Sequence, residues 1–430
     1  MNSNKSSYHQ LQSPHLIIIG GGFAGIEMLK QLNGLPIKVT LLDKNNYHTF
    51  QPLLYQIASG GLGPDAIAYP LRKIVGKIPN IAFRMAEVQA IDTNHNKVKT
   101  DIGDFTYDYL CIATGSVTNF FGNKNLQEFA MELKSIPQAL DLRSKILQEF
   151  EKAVSQTESG QLERILNFVV VGGGPTGVET AGAIAEIKNN VLPSDYTEIN
   201  KNYMKIHLIE ASDRILAAMS EVSSEKATQF LENLGVEVHL KTQVKDFTGT
   251  ELLLGDGSII QTETVIWAAG VKGEFPQGIE SNSIGRGNRI LVDEFSRIKG
   301  LNNVFAVGDV AMMTHEEKYP NGHPMVAPVA VQQANLLVKN LQAIIAKREL
   351  KPFSYFDKGS MATVGRHRAV FESFGIKMQG IIAWLGWMFL HLMLLVGFRN
   401  RLVVFVNWLW NYVSYQRAIR IITRPYKGKN

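Results

Sequence analysis

Apolar runs that break into glycines organise this chain. Leu16 to Gly20 (LIIIG) is a short β-branched run, a helical pattern follows through Leu32, and a second apolar strand runs from Lys38 to Asp43. Strand, helix and strand at that spacing read as a βαβ unit. The arrangement returns at Asn167 to Val171 (NFVVV), followed by GGGPTG, a long helix and the strand Lys205 to Glu210. Residues 81–115 and 235–270 both read as series of short strands, each closing on a strand that ends in ATG or AAG. Each βαβ unit is thus completed by a β-meander. Beyond Gly270 the strand Val304 to Val307 leads into Gly308 and Asp309, and a helix is expected over Pro328 to Lys347. The pattern predicts an α/β fold with two Rossmann-like dinucleotide-binding domains, β-meander insertions and a separate C-terminal helical region.

From Phe353 the chain becomes aromatic, apolar and basic. Residues 380–398 carry no charge over 19 positions, which meets the length criterion for a spanning helix. Arg399 and Arg401 follow, then a second apolar run, Leu402 to Tyr415, rich in Trp and Tyr, residues that favour the bilayer interface. His391 and the dense tryptophans argue against spanning. Net charge is +5, yet no acid follows Glu372, while Lys377, Arg399, Arg401, Arg417, Arg420, Arg424, Lys427 and Lys429 are basic. Basic residues interleaved with apolar ones suit anionic lipid head groups better than nucleic acid, so no nucleic-acid partner is expected. The polar N-terminus, Met1 to Pro14, lacks the apolar core of a secretory signal and reads as a disordered tail on a protein that stays in the cytoplasmic compartment.

At 430 residues the chain exceeds one ordinary core, so two or three domains are expected. The only cysteine is Cys111, which rules out an intrachain disulfide, a four-thiolate metal site and a dithiol redox centre. It lies in the apolar run Tyr109 to Ala113 and reads as buried and structural.

The glycines carry the candidate chemistry. Gly20, Gly22 and Gly25 have G-x-G-x-x-G spacing between a strand and a helix, and Asp43 closes the next strand. Such glycines permit a tight turn, close approach to a pyrophosphate, and packing of helix on strand. The helix N-terminus supplies free N–H groups for phosphate oxygens, and Asp43 is placed to accept from ribose hydroxyls. The second copy is Gly172, Gly174 and Gly177, with Glu179 just beyond; its closing acid is Glu210, delayed by what looks like an insertion at 188–203. An acid there favours a free 2′-hydroxyl over a 2′-phosphate, hence NADH over NADPH, although Arg214 is close. The plainer alternative makes Glu210 a solvated strand-end carboxylate.

VFAVGDVA, containing Gly308 and Asp309, makes the chain resemble the two-dinucleotide flavoproteins, in which the first unit holds FAD and a late Gly-Asp contacts the ribityl chain. Disulfide reductases of that superfamily need a CxxxxC pair and sulfide:quinone oxidoreductases need reactive cysteines; one strand cysteine supplies neither. GGGFAG, YHTFQPLLY (Tyr47 to Tyr55), GGGPTGVETAGAIAE, WAAGV, VFAVGDVA, APVAVQQA and the aromatic C-terminus together resemble type II NADH:quinone oxidoreductases over about residues 14–425. The resemblance implies a resident FAD, NADH as substrate, a membrane quinone as acceptor, and no proton pumping. It implies an FAD domain at 15–120 and 290–350, an NADH domain at 121–289, and a membrane-anchoring, quinone-access region at 351–430.

Val88, Gly115 and Gly270 join the expected cofactor-binding residues. Where the family has a glutamine-rich quinone helix, this chain has Ala327-Pro328-Val329-Ala330-Val331-Gln332-Gln333. Pro328 replaces the first glutamine, and either Gln332 or Gln333 is left to face the quinone. Lys358 matches a lysine near flavin and quinone, against the alternative of an exposed turn lysine. Glu179 matches a glutamate between nicotinamide and flavin, against that of an early-helix carboxylate favoured by the dipole. The matching C-terminal helices lie in one leaflet, which implies a monotopic protein on the cytoplasmic face of the cell membrane; a spanning hairpin and a homodimer interface are the alternatives. A soluble NADH-dependent reductase of a small redox protein and a non-catalytic NADH sensor are the competing functions.

Overall fold

The computed structural model describes residues 13–76, 78–414, 420–422 and 424–429, with residues 411–414 as backbone alone. The N-terminal tail up to residue 12 and Arg417 lie outside them. The chain forms two compact units: one of residues 1–48, 70–116 and 272–356, the other of 49–69, 117–271 and 357–430.

In the first unit a parallel sheet is ordered Val304–Ala306, Tyr109–Ile112, His15–Ile19, Lys38–Asp43, Ile81–Met85. His15–Ile19 is central and buried at Leu16 to Ile19, which is why it reads as an unbroken apolar run rather than an alternation. The helices Phe23–Gln31 and Ala327–Ile345 pack on each other and on the sheet through Ile26, Met28, Leu29, Ala334, Leu337 and Leu341. The meander is Val88–Asp92, Lys97–Thr100 and Gly103–Thr106, antiparallel throughout. Cys111 is fully buried with its Sγ 3.5 Å from Met28 Sδ, and burial pushes its thiol pKa far up. It is a packing residue.

The second unit repeats the plan. Its parallel sheet is ordered Val236–His239, Lys205–Ile209, Asn167–Val171, Thr264–Trp267, with the meander Val244–Phe247, Glu251–Leu254 and Ile259–Gln261. The expected insertion at 188–203 is a helical extension, Ile187–Val191 and Leu192–Asp195, followed by the short turn Lys201–Tyr203.

The C-terminal segment belongs to this second unit. A three-stranded antiparallel sheet, Ser360–Thr363, Ala369–Ser373 and Ile376–Gln379, leads into the helices Gly380–Leu394 and Phe398–Ser414. The 19-position uncharged run does not form one spanning helix. It stops at Leu394 because Leu395 is extended and Gly397 turns with φ +87°, and a Cβ at Gly397 would fall 2.2 Å from the Tyr69 ring. Among the described residues no helix is long and apolar enough to cross a membrane. His391 stacks on Trp387 with ring centroids 4.0 Å apart, and burial lowers its pKa to about 4. Asn400 donates to the Ala66 and Ala68 carbonyls at 3.1 and 2.8 Å, anchoring the last helix.

Candidate cofactor and substrate sites

Both glycine loops are built alike. A Cβ at Gly25 would lie 2.0 Å from the Gly20 carbonyl oxygen, and one at Gly177 would lie 1.8 Å from that of Gly172. Only glycine lets each helix seat this closely on its loop. By contrast, a Cβ at Gly22 or Gly174 would meet nothing within 4 Å. Those two residues precede helices Phe23–Gln31 and Pro175–Glu186, neither of which has a side-chain N-cap or an acid in its first turn. Orphan N–H groups and an uncompensated positive dipole end, facing open space, fit an anion such as a pyrophosphate.

The acids closing the following strands brace the loops. Asp43 accepts the Gly21 N–H at 2.6 Å and the Asn45 N–H at 2.7 Å; burial nevertheless raises its pKa, the hydrogen bonds opposing that rise. Glu210 accepts the Gly173 N–H at 2.5 Å and both the N–H and hydroxyl of Ser212 at 2.8 and 2.6 Å. Burial works against its charge, but the Ser212 and Gly173 hydrogen bonds outweigh it and hold the carboxyl below its ordinary range. Glu210 is therefore an anion locked in place, not a loosely solvated carboxylate. The Arg214 guanidinium donates to the Ala217 carbonyl at 3.1 Å.

In the first unit, Gly308 turns with φ +78° and its N–H donates to Gln333 Oε1 at 2.7 Å. Asp309 accepts the Ser116 hydroxyl at 2.6 Å. Gln333 is buried, and its Nε2 has no hydrogen-bond partner among the described residues. A buried unmatched amide donor costs on the order of 1–3 kcal/mol, so this one invites an acceptor from a ligand. Gln332 is engaged otherwise: its Nε2 donates to the Phe356 carbonyl at 2.9 Å and its Oε1 accepts the Phe356 N–H at 3.0 Å. Of the two glutamines, Gln333 alone offers a free polar atom. Val88 opens a meander strand, half-buried, and Gly115 turns with φ +78°.

In the second unit Glu179 lies one turn into its helix, buried. That position is too deep for a dipole-compensating surface acid. Its Oε1 faces the Thr363 N–H at 3.4 Å. Burial pushes its pKa up to about 8, with the Thr363 N–H and the nearby Trp387 indole opposing the rise; that indole N–H forms no hydrogen bond of ordinary geometry. Thr363 Oγ1 pairs with the Tyr55 hydroxyl at 3.2 Å, Gln56 donates to that hydroxyl at 3.0 Å, and Trp408 donates to Gln56 at 2.8 Å. Tyr55, Gln56, Thr363, Trp384, Trp387 and Trp408 line a cavity of about 700 Å³. The sequence singles out Glu179 but not Tyr55, Gln56 or Thr363 around it, although YHTFQPLLY contains the first and the segment around Lys358, FDKGSMATVG, contains the last. Gly270 packs against the Phe121 ring. Lys358 is exposed, just before strand Ser360–Thr363, its carbonyl accepting the Ser373 hydroxyl at 2.7 Å.

Residues 14–334 match the pyridine nucleotide-disulphide oxidoreductase family, and 358–414 match the NDH2 C-terminal domain. The chain is 36% identical over 425 residues to the type II NADH:quinone oxidoreductase NdhA of Mycobacterium tuberculosis, covering 95% of this chain and 89% of that one. It is 29% identical over 373 residues to the type II NADH:quinone oxidoreductase of Staphylococcus saprophyticus, covering 85% and 91%. The structure of NDH2 from Plasmodium falciparum in complex with NADH has the same fold, with a TM-score of 0.86 at 22% identity, covering 94% of this chain and 99% of that one. The chain belongs to the pyridine nucleotide-disulphide oxidoreductase family and, within it, to the type II NADH:quinone oxidoreductases.

Proposed function

We propose that this chain oxidises NADH and reduces a quinone through bound FAD. The observation that carries the reading is the duplicated glycine cradle, one copy beside the unmatched Gln333 amide and the other leading to the buried Glu179. FAD, when bound, supplies the two-electron redox chemistry that links the nicotinamide to the quinone.

The first cradle, Gly20 to Gly25, would hold the FAD pyrophosphate on its helix N-terminus, with Asp43 bracing the loop. Asp309 would accept from the ribityl chain, and Gln333 would donate its free amide hydrogen to the same cofactor. Val88 and Gly115 are assigned to that site. The second cradle, Gly172 to Gly177, would bind the NADH pyrophosphate, with Gly270 beside it. Glu210 is an obligate anion at the strand end, so it accepts from a ribose 2′-hydroxyl and repels a 2′-phosphate; we infer a preference for NADH.

Reducing a quinone to a quinol consumes two electrons and two protons. Glu179 holds a proton at neutral pH because its buried anion is disfavoured. It is assigned as the group that keeps a proton available beside the cavity lined by Tyr55, Gln56 and the tryptophans, which suits a planar, partly apolar ring. Gln332 ties down Phe356 and is assigned a structural role. The Lys358 ammonium is assigned to stabilising developing negative charge.

For the membrane, the last two helices turn opposite faces in and out. Ala383, Trp387, Val404 and Trp408 are buried, while Ile382, Phe389, Phe398, Phe405 and Trp410 are exposed. Exposed apolar side chains on these helices, with no spanning helix among the described residues, support a monotopic seat on the membrane, which we assign to the cytoplasmic leaflet. Charge contributes less than the sequence implied, since Arg420, Arg424 and Lys429 are ion-paired with Asp195, Asp141 and Glu132. A homodimer through the same face is the competing arrangement.

Purified protein should be yellow, bleach with NADH under anaerobic conditions, and recolour with a quinone. Failure to recolour, with rapid recolouring by a ferredoxin instead, would defeat the assignment.

A further inference from the structure

Strands Lys205–Ile209 and Val236–His239 pair in parallel with His207 opposite Glu237. Alternate residues of a strand share a face, so His239 joins that pair on one side of the sheet. His207 Nδ1 lies 3.0 Å from His239 Nε2 and 3.3 Å from Glu237 Oε2, and His239 Nε2 lies 4.0 Å from the same oxygen. Tetrahedral zinc with bonds of about 2.0–2.1 Å sets its ligand atoms about 3.4 Å apart, and the three observed separations bracket that spacing. None of the three residues lines the cavity beside Glu179.

We propose that His207, Glu237 and His239 form a binding site for a zinc-class divalent cation. Two imidazoles and one carboxylate favour such an ion over magnesium or calcium, which prefer all-oxygen shells. Three protein ligands leave a fourth position for water. The His207 ring is buried with its Nδ1 turned toward the other two ligand atoms, whereas Glu237 is exposed and gives a route of entry. Lys188 interacts electrostatically with Glu237, and Lys188 and Lys205 both bear on His207; these ammoniums moderate affinity. Val236–His239 is the edge strand of its sheet, and the His239 carbonyl accepts the Glu210 N–H at 2.8 Å. A bound cation would pin that edge to its neighbour directly beside the acid assigned to the NADH ribose.

The test titrates the flavin-loaded protein with zinc chloride by calorimetry and with cobalt(II) by visible absorption. One cation per chain is expected, with the visible bands of low-coordinate cobalt and a higher melting temperature at saturating zinc. His239→Gln and Glu237→Gln, both at the accessible rim, should each weaken binding at least tenfold and abolish the melting shift. Lys188→Ala should tighten it. No binding at hundredfold metal excess, or unchanged affinity in both rim variants, overturns the proposal.

Discussion

Replacing Glu179 by glutamine removes an ionisable group whose charging is made costly by its burial. Moving the carboxyl from its ordinary 4.5 to about 8 disfavours the folded anion by roughly 5 kcal/mol, at about 1.36 kcal/mol per tenfold step. A folded value above the unfolded one means that the penalty is absent below pH 4.5, grows as pH rises, and is complete above about 8. Between pH 5 and pH 9 the wild type therefore loses about 4 kcal/mol that Glu179→Gln does not lose. With an unfolding entropy of about 2.1 cal/mol/K per residue, this corresponds to a melting-temperature gap widening by roughly 4–5 °C over that range. The assay is thermal unfolding of both flavin-loaded proteins at closely spaced pH values. In parallel, quinone reduction by the wild type should decline as pH passes about 8, and the variant should be slow at every pH. A melting gap that is the same at pH 5 and pH 9 would refute the buried-acid reasoning, whatever happens to activity.

Gly177→Ala drives a methyl group into the Gly172 carbonyl oxygen; bleaching by NADH should be lost while the yellow colour stays, as absorption spectra before and after NADH will tell. Glu210→Ala removes the anion proposed to repel a 2′-phosphate, which is held by the Gly173 and Ser212 N–H groups, so the ratio of kcat/KM for NADPH to that for NADH should rise at least tenfold, and an unchanged ratio refutes the role. Gln333→Leu deletes both the Gly308 clamp and the free amide; flavin content after dialysis should fall severalfold, whereas Gln332→Leu should keep its flavin. The pair Ile382→Glu and Phe389→Glu sits on the exposed helix face, and the double variant should stay in the supernatant when the wild type floats with anionic lipid vesicles.

Much of the architecture could be read from neighbours in the sequence. A glycine motif works through a turn, a helix start and a strand end that lie within a few dozen residues, so Gly20 to Asp43 and Gly172 to Glu210 announce both nucleotide units on their own. The lone Cys111 in an apolar strand likewise declared itself buried. Contacts between distant segments decided the rest. Glu179 became a proton-holding acid only because Thr363 and Trp387, from the far end of the chain, cover it. Gln332 and Gln333 are adjacent in sequence, yet the helix turns one toward Phe356 and the other under Gly308. The uncharged run at 380–398 is long enough to span, but the turn at Gly397 against Tyr69 and the burial of Trp387 and His391 end it as a surface helix. His207, Glu237 and His239 have no metal-binding spacing in one dimension; parallel strand register brings them together. Local periodicity encodes which elements form, whereas burial and proton affinity depend on what the folded chain lays over them.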